Sequence, residues 1–570
     1  MNGIGSISAS RLGAERFRRR YGLAYAYMAG SMAHGVASEE FVEAMSGAGL
    51  LASFGAAGLG LDRIRHAVTR LKQSVPRERL CVNLIHSPLA EPLESGIVDL
   101  LLREGVNVVE ASAFMQPTLP LVRLRAQGAR LEPSGAVAPH RIIAKISRRE
   151  VARHFLQPPP AAMLAQLRHE GVLSAQEAEA ASLLPLADDI TVEADSAGHT
   201  DNQSLLCAFP AIRALRQEVA QTFAPAASIC LGAAGGLGTP SAVAAAFALG
   251  ADYVVTGSIN QACREAATSE QVKQMLARAE PADVAMTPAA DMFEMGVRVQ
   301  VLKRGTTFSL RGQLLYDLYR RHDGLDGLTA EERERIEQQL FRRPLAEVWA
   351  ETRAYWHAID PDQVARADTD AKLRMALVFR WYLGMSSRWA ISGTPERALD
   401  YQIWCGPAMG AFNAWSRDTG FASVERRRAP DVAQALMEGA AAQLAALWGT
   451  PAPQPAGRTE PAPPLASAAP APASAPDDLA IREWLIAQIA QQIGVPEEEI
   501  DPRQPFESYG IDSAAAVMIL GRMEKYVGRR LSATLIWNYP TIEALAARLS
   551  APLAPALGSR QEPESALPPG

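Results

Sequence analysis

The stretch SICLGAAGGLGTPSAVAAAFALGADYVVTGSI, residues 228–259, carries the most informative pattern of the chain. A short apolar run opens it and another closes it, and a glycine-containing turn follows each run. The residues between the runs have a helical pattern that starts near Thr239. A buried strand, a helix and a second buried strand in this order indicate a βα unit.

The same alternation extends back to residue 25. The eight short apolar runs are YAYMAG (25–30), LLASFGA (50–56), LCVNLIH (80–86), VNVVEASA (106–113), RIIAKIS (141–147), DITVEADS (189–196), SICLGAAGG (228–236) and YVVTGSI (253–259). Eight strands, each followed by a helix, favour a (β/α)8 TIM barrel, and a doubly wound open sheet is the alternative. Two extra helical patterns between Gln157 and Ala187 are interpreted as an insertion.

Composition divides the rest of the chain. We assign 1–288 to the barrel and 289–448 to a helical subdomain. This subdomain holds seven of the nine tryptophans. It is either a plain helical core or a lid over the barrel mouth. Between Pro451 and Pro476, 9 of 26 residues are proline, which indicates an extended tether, bounded as 449–477. Residues 478–552 have the pattern of a small all-α bundle, and 553–570 that of a disordered tail.

Charge and cysteine content exclude several classes of protein. The 56 basic and 62 acidic residues leave a net charge of −6, so no basic field is available for nucleic acid or a membrane surface. The five cysteines lie far apart without a CxxC pair, which argues against a metal site or a disulfide framework. With no secretory pattern near residue 1, we expect a cytoplasmic protein without a membrane partner.

Two glycine turns predict a phosphate site. In a TIM barrel, phosphate groups bind to the loops after strands seven and eight. Gly235 and Gly236 follow the seventh run, and Gly257 and Ser258 follow the eighth. The helix that begins near Thr239 adds free N–H groups and the positive end of its dipole.

Further candidate residues lie at the ends of other strands. Gly30, Ser31 and Met32 end the first run, where small residues would let a flat ring approach. Asn83 and Lys145 interrupt apolar runs. A buried lysine needs a partner, and a bound anion or an electron-rich ring would supply one.

His199 follows the sixth run in the polar loop VEADSAGHTDN. A lone histidine is often structural, but this one lies at the catalytic end of a strand. Its ordinary pKa range suits proton donation near neutral pH. We therefore take His199 as the candidate catalytic residue.

The barrel strings AGSMAHGVASEE, FGAAGLGLDRI, CVNLIHSP, IIAKISRREVA, VEADSAGHTDN, GAAGGLGTP and TGSINQ together resemble the PfaD-type trans-acting enoyl reductases of polyketide and polyunsaturated fatty acid assembly lines. These belong to the nitropropane dioxygenase (nitronate monooxygenase) superfamily of flavoproteins, and the resemblance continues to about residue 448. It implies FMN at the barrel top and NADPH or NADH as the reductant. By this resemblance, the segments around the flavin ring are matched by Gly30, Ser31, Met32, Asn83 and Lys145. The phosphate cradle is matched by Gly235, Gly236, Gly257 and Ser258. His199 matches the active-site histidine.

Residues 478–550 resemble an acyl or peptidyl carrier protein through Phe506, GIDS and YPTIEALA. Asp512-Ser513 at a helix start is by itself an ordinary N-cap. The resemblance makes Ser513 the attachment site for 4′-phosphopantetheine, added by a phosphopantetheinyl transferase. Ala514 departs from the leucine usual in GxDSL, which puts partner choice in doubt.

These resemblances lead us to expect an FMN-dependent enoyl-[acyl carrier protein] reductase that acts on 2-enoyl chains on the carriers of a polyketide or fatty acid synthase. One alternative is a flavin oxidase of the nitronate monooxygenase kind. A second is a carrier and docking protein whose barrel has no activity. The length of the acyl chain and the preferred nicotinamide cofactor stay open.

Overall fold

A computed structural model describes residues 7–86, 91–447, 476–509, 511, 513–529, 531 and 535–550. These residues fall into two compact units, one ending at 447 and one beginning at 476. Most of the expected linker, 449–475, and the expected tail, 553–570, lie outside the described residues. Among the described residues, no helix is long and apolar enough to cross a membrane.

Eight parallel strands close a barrel, which confirms the predicted fold class. The strands, in barrel order, are β1 (Tyr27–Ala29), β2 (Leu51–Phe54), β3 (Leu80–Ile85), β4 (Val108–Ser112), β7 (Arg141–Ile146), β8 (Asp189–Glu193), β10 (Cys230–Ala234) and β11 (Tyr253–Thr256), and β11 pairs with β1. Each strand lies in one of the eight predicted runs. The open-sheet alternative is therefore wrong, because the pairing of β1 with β11 closes the sheet on itself.

Helices surround the barrel and bury apolar side chains against its strands. In α3 (Leu61–Ser74), the buried residues Ile64, Ala67, Val68 and Leu71 recur at helical spacing. The other helices of this layer are α2 (Glu39–Gly47), α4 (Glu91–Glu104), α5 (Leu119–Ala126), α6 (Arg149–Leu156), α9 (Leu205–Thr222), α10 (Pro240–Ala248) and α11 (Glu270–Ala277).

Helix α1 (Glu15–Tyr21) closes the amino-terminal end of the barrel. The ring of Phe17 stacks on Tyr253, with centroids 3.9 Å apart. Arg20 and the Tyr21 hydroxyl both bind the buried carboxylate of Asp189, at 2.5 Å and 2.6 Å. This closed end leaves the carboxyl ends of the strands as the face for chemistry.

The interval between β4 and β8 contains two additions to the barrel. The predicted insertion forms α7 (Ala161–His169) and α8 (Ala175–Ala181). A short hairpin, β5 (Arg130–Glu132) with β6 (Gly135–Val137), precedes β7 and was not predicted.

The segment 289–448 is mostly helical, as expected, but the prediction missed a sheet. Strand β13 (Arg298–Leu302) lies inside it and pairs antiparallel with β12 (Val284–Pro288) and with β9 (Gly198–His199). The sheet therefore joins the two sides of the expected boundary at 288. The helices are α12 (Phe308–Arg321), α13 (Ala330–Arg335), α14 (Leu345–Ile359), α15 (Pro361–Thr369), α16 (Ala371–Ser392), α17 (Ala408–Ser416) and α18 (Ala429–Leu447).

Two hydrophobic cores divide these helices. Phe293, Phe308, Phe379 and Tyr382 belong to a core of their own, with tryptophans at its edge. Helix α18 instead joins the barrel core and packs on α10. A Cβ on Gly439 would lie 2.8 Å from Pro240, so glycine is needed for this close approach. The last helix of the expected subdomain is thus part of the layer around the barrel.

The second unit is a helical bundle, as predicted. Its helices are α19 (Asp478–Ile493), α20 (Ser513–Val527), α21 (Leu535–Asn538) and α22 (Ile542–Ser550). Ile481, Leu485 and Ile489 of α19 are buried, as are Leu545 and Leu549 of α22. Helix α20 begins at Ser513, the position expected for the attachment serine.

Candidate functional site

Polar side chains form a layer inside the barrel at the carboxyl ends of its strands. Side chains alternate along a strand, so Asn83, Glu110 and Lys145 share the inner face with Cys81, Val108 and Ile143, which lie one step closer to α1 in the barrel core. The apolar interior therefore ends in a polar layer at the face where TIM barrels carry their chemistry.

Lys145 has a protein partner inside this layer. Its Nζ lies 3.0 Å from Oε1 of Glu193 on the neighbouring strand β8. Burial lowers the pKa of Lys145, but the charges of Glu193 and Glu110 outweigh it and the pKa is raised. The expectation that a bound anion or ring would be its partner was incomplete, because a carboxylate already balances the charge.

Asn83 and Glu110 connect the third and fourth strands to the first. Asn83 Nδ2 donates to the carbonyl oxygen of Glu110 and to Ser112 Oγ, both at 3.0 Å. Glu110 is fully buried, and its Oε2 accepts a hydrogen bond from the backbone N–H of Ser31 at 3.0 Å. Sequence reasoning missed Glu110, although an acidic residue inside the apolar run VNVVEASA was a usable signal.

The turn after β1 borders the same layer. A Cβ on Gly30 would lie 3.2 Å from Val255 Cγ1 and 3.5 Å from Glu110 Oε1, so the glycine lets this turn pack closely on β4 and β11. Met32 is buried beside this turn.

The two glycine turns lie side by side because β10 and β11 are neighbours. A Cβ on Gly235 would lie 2.7 Å from the backbone of Ala194, whereas one on Gly236 or Gly257 would meet nothing within 4 Å. Helix α10 starts at Pro240, and the Thr239 side chain caps it. Open space beside two glycine backbones and a helix N-terminus fits a phosphate group.

Ser258 has a role that the sequence did not reveal. Its Oγ accepts a hydrogen bond from the backbone N–H of Gly406 at 3.0 Å. Its hydroxyl therefore holds a segment of the helical subdomain, and its backbone remains the part that can face a phosphate.

That segment, residues 404–408, crosses the barrel mouth. The Trp404 ring stacks on His34 after β1, with centroids 5.5 Å apart, and lies 3.8 Å from the position of a Cβ on Gly198. Further along, the backbone of Ala408 approaches Gly238 so closely that no Cβ would fit there. The helical subdomain therefore has a hydrophobic core of its own, and its segment 404–408 also covers the mouth of the barrel.

His199 lies on β9 beside this cover, with a carboxylate partner. Its Nε2 is 3.0 Å from Asp291 Oδ2. Burial lowers the pKa of His199, but the hydrogen bond with Asp291 and its negative charge outweigh that effect and raise the pKa. A larger fraction of the imidazole is therefore protonated near neutral pH than in a free histidine.

The structure thus brings the barrel residues of the predicted site to one face. The ten residues lie at or just beyond the carboxyl ends of the strands: Gly30, Ser31, Met32, Asn83, Lys145, His199, Gly235, Gly236, Gly257 and Ser258. Ser513 lies in the other unit, and its side chain is outside the described residues.

These features define a TIM barrel with a polar, phosphate-compatible mouth under its own helical cover, joined to a small helical bundle. Residues 483–549 of the bundle match the family model for a phosphopantetheine attachment site. Residues 322–401 match the inserted helical domain of [acyl-carrier-protein] S-malonyltransferase, a similarity that the sequence analysis did not anticipate.

Relatives occur among synthase proteins. The chain is 45% identical over 413 residues to one component of the polyunsaturated fatty acid synthase of Thraustochytrium sp. and 42% identical over 433 residues to the polyketide biosynthesis protein PksE of Bacillus subtilis. These matches cover 72% and 76% of the chain but only 28% and 56% of the relatives. The chain therefore spans between about a quarter and just over half of the length of these two relatives.

A solved structure matches the larger unit as a whole. The enoyl reductase domain of MlnA, from the macrolactin cluster of Bacillus amyloliquefaciens, is 35% identical, with a TM-score of 0.74. The match covers 77% of this chain and 99% of that domain. The chain belongs to the PfaD-type enoyl reductase family and carries a C-terminal acyl carrier protein domain.

Proposed function

We propose that the barrel is an FMN-dependent enoyl-thioester reductase that takes hydride from NADPH or NADH and acts on 2-enoyl chains bound to carrier proteins. The observation that carries this proposal is the match to the MlnA enoyl reductase domain, which covers 99% of that domain, barrel and helical subdomain together. The synthase relatives support a substrate held on a carrier.

The mouth of the barrel fits FMN. The open space beside Gly236 and Gly257 and the N-terminus of α10 would hold the phosphate. Gly30, Asn83 and Lys145 would border the ring. When bound, FMN supplies the transfer of hydride from the nicotinamide to the β-carbon of the enoyl thioester.

The residues of the chain have three tasks in this reaction. His199, held by Asp291, donates a proton to the α-carbon of the substrate. The cationic Lys145, paired with Glu193, balances the charges of Glu193 and Glu110 in the polar layer where the ring would bind. Trp404 and the cover segment exclude water from the mouth.

The carrier domain has a separate task. We propose that Ser513, at the start of α20, receives 4′-phosphopantetheine from a phosphopantetheinyl transferase. The barrel then reduces chains on this carrier, on the carriers of a synthase, or on both.

The experiment that tests the function is turnover with a defined substrate. The purified protein, with its flavin content measured from the absorption spectrum, is supplied with NADPH and a 2-enoyl chain on a pantetheine thioester. The proposal expects bound FMN and a saturated thioester, identified by mass spectrometry. A flavin-free protein would favour the docking alternative, and a flavoprotein that leaves the double bond intact would remove the proposed activity.

A further inference from the structure

The side chain of Gln300 on β13 joins both ends of the loop that carries His199. Its Nε2 donates to Asp195 Oδ1 at 2.8 Å and to the carbonyl oxygen of Ser196 at 2.7 Å. Its Oε1 accepts a hydrogen bond from Asn202 Nδ2 at 3.1 Å. Residues 195 and 196 precede His199 in the chain and residue 202 follows it, so a single amide group spans the loop.

The other anchors of this loop hold it at single points. Strand β9 has only two residues and pairs with one edge of β13. Asp201 anchors the loop to Arg148, just after β7. The imidazole of His199 contacts Asp291. Gln300 differs from these anchors because it ties the two ends of the loop to each other.

The amide of a glutamine matches the groups that the loop presents. These groups are two acceptors, on Asp195 and Ser196, and one donor, on Asn202. An NH2 group with two hydrogens and a carbonyl oxygen satisfy all three, whereas a glutamate would place a second carboxylate against Asp195. Gln300 is only 4% exposed, so water has little access to replace a bond that is lost.

The same position on β13 also holds the cover segment. The backbone N–H of Cys405 donates to the carbonyl oxygen of Gln300 at 3.4 Å. The next residue, Val301, forms a β-bridge with Trp404. The side chain of Gln300 therefore binds the loop of the candidate proton donor, while its backbone binds the cover over the barrel mouth.

The inference rests on the proposed role of His199 as the proton donor. We propose that Gln300 is a positioning residue, which holds the loop so that His199 stays against Asp291 and in reach of the substrate. A misplacement of about 1 Å in a reacting group can cost ~10²-fold in rate. A side chain that fixes both ends of the loop is therefore expected to affect the reaction without touching the substrate.

The first test measures the ionisation of His199 without any reaction. Exchange of the imidazole C2 hydrogen for deuterium, followed by mass spectrometry across a range of pH, gives the pKa of each histidine. Burial and Lys145 lower the pKa of His199, but Asp291 and Glu193 outweigh them and raise it. In Gln300→Leu we expect this pKa to fall, because the released loop weakens the contact with Asp291.

The second test separates the two half-reactions by stopped-flow absorbance. In Gln300→Leu, flavin reduction by NADPH should stay near the wild-type rate, because the proton from His199 is not needed there. Reaction of the reduced protein with an enoyl thioester should slow at least about tenfold, a part of the ~10²–10⁴-fold that general acid catalysis supplies.

Two further variants make the tests decisive. Gln300→Met keeps the unbranched shape and removes the three hydrogen bonds, so it should show the same changes, and it replaces the leucine variant if that one does not fold. Gln363→Met alters a buried glutamine of α15 and is the matched control. This control should keep the wild-type pKa of His199 and both wild-type rates.

The outcomes distinguish this inference from the proposed function. Folded Gln300 variants with the wild-type pKa of His199 and the wild-type second step would overturn the positioning role. An equal loss in both half-reactions would also overturn it, since it would show a general disturbance of the barrel mouth. A wild-type protein that does not reduce enoyl thioesters would refute the proposed function, and the exchange measurement would still decide whether Gln300 positions His199.

Discussion

Nε2 of His199 lies 3.0 Å from Oδ2 of Asp291, although 92 positions separate the two residues in the chain. Strand β13 pairs directly with His199, and β12, which ends three residues before Asp291, pairs with the other edge of β13. The three-stranded sheet β9–β13–β12 therefore sets the geometry of the candidate proton donor. A part of the helical subdomain thus shapes the chemistry of a barrel loop.

Replacing His199 with alanine should separate the two halves of the reaction. Flavin reduction by NADPH should stay near the wild-type rate, because no proton from His199 is needed there. Reaction of the reduced protein with an enoyl thioester should slow by ~10²–10⁴-fold, the usual range for general acid catalysis. Stopped-flow absorbance measures both steps, and His66→Ala, on the exposed face of α3, is the control. An unchanged second step would assign the proton to water or to another residue.

The variant Asp291→Asn should move the pH profile of that second step. Asp291 raises the pKa of His199 by its hydrogen bond and its charge, so its loss lowers that pKa. Because the protonated form is the donor, the rate falls as pH rises through the pKa, and in the variant this fall should begin at a lower pH. Coincident profiles for the two proteins would show that His199 is not the titrating donor.

The glycine turns should respond differently to substitution. Gly236→Leu should fold but lose FMN, because its side chain would enter the open space assigned to the phosphate. Its positive φ adds a cost of about 1–2 kcal/mol, so Gly257→Leu, where φ is −131°, provides a variant without that strain. Gly235→Ala should instead lower the melting temperature, since its Cβ would lie 2.7 Å from backbone. Stoichiometric flavin in both leucine variants would refute the phosphate site.

Ser513 should be the single site of pantetheine addition. Incubation with coenzyme A and a phosphopantetheinyl transferase should add one arm by intact mass, and Ser513→Ala should abolish it. We expect the tether to let the carrier reach the barrel, and short flexible linkers give about millimolar effective concentrations. A chain loaded in cis should then be reduced faster than the same carrier added separately at about micromolar concentration. Equal rates would mean that the carrier serves another enzyme.

Much of the fold was predictable because its signals are local. Each barrel strand is a short apolar run bounded by helical patterns, and α20 begins at the predicted serine. The sheet β9–β13–β12 was missed because β9 has two residues and RVQVL lies within a helical region. The pairing of β13 with β9 joins residues about 100 positions apart, which a local pattern does not show.

The positions of the candidate site residues were predictable from the sequence, but their interaction partners were not. Strand ends placed His199, Lys145 and the glycines at one face, since parallel strands of a barrel share that face. The partners Asp291 and Glu193 follow from long-range packing, which spacing along the chain does not encode. The stacking of Trp404 on His34 is of the same kind, because it joins residues from different subdomains.

The central claim is that the barrel reduces enoyl thioesters, and one anaerobic measurement tests it most directly. The flavin is first reduced with NADPH in a stopped-flow instrument and the reduced protein is mixed with an enoyl thioester, while a separate sample of the oxidised protein is mixed with a nitronate. We predict rapid return of the oxidised flavin spectrum with the enoyl thioester and no reduction of the flavin by the nitronate. A flavin that the nitronate reduces and that the enoyl thioester does not reoxidise would contradict the account and identify an enzyme of the nitronate monooxygenase kind.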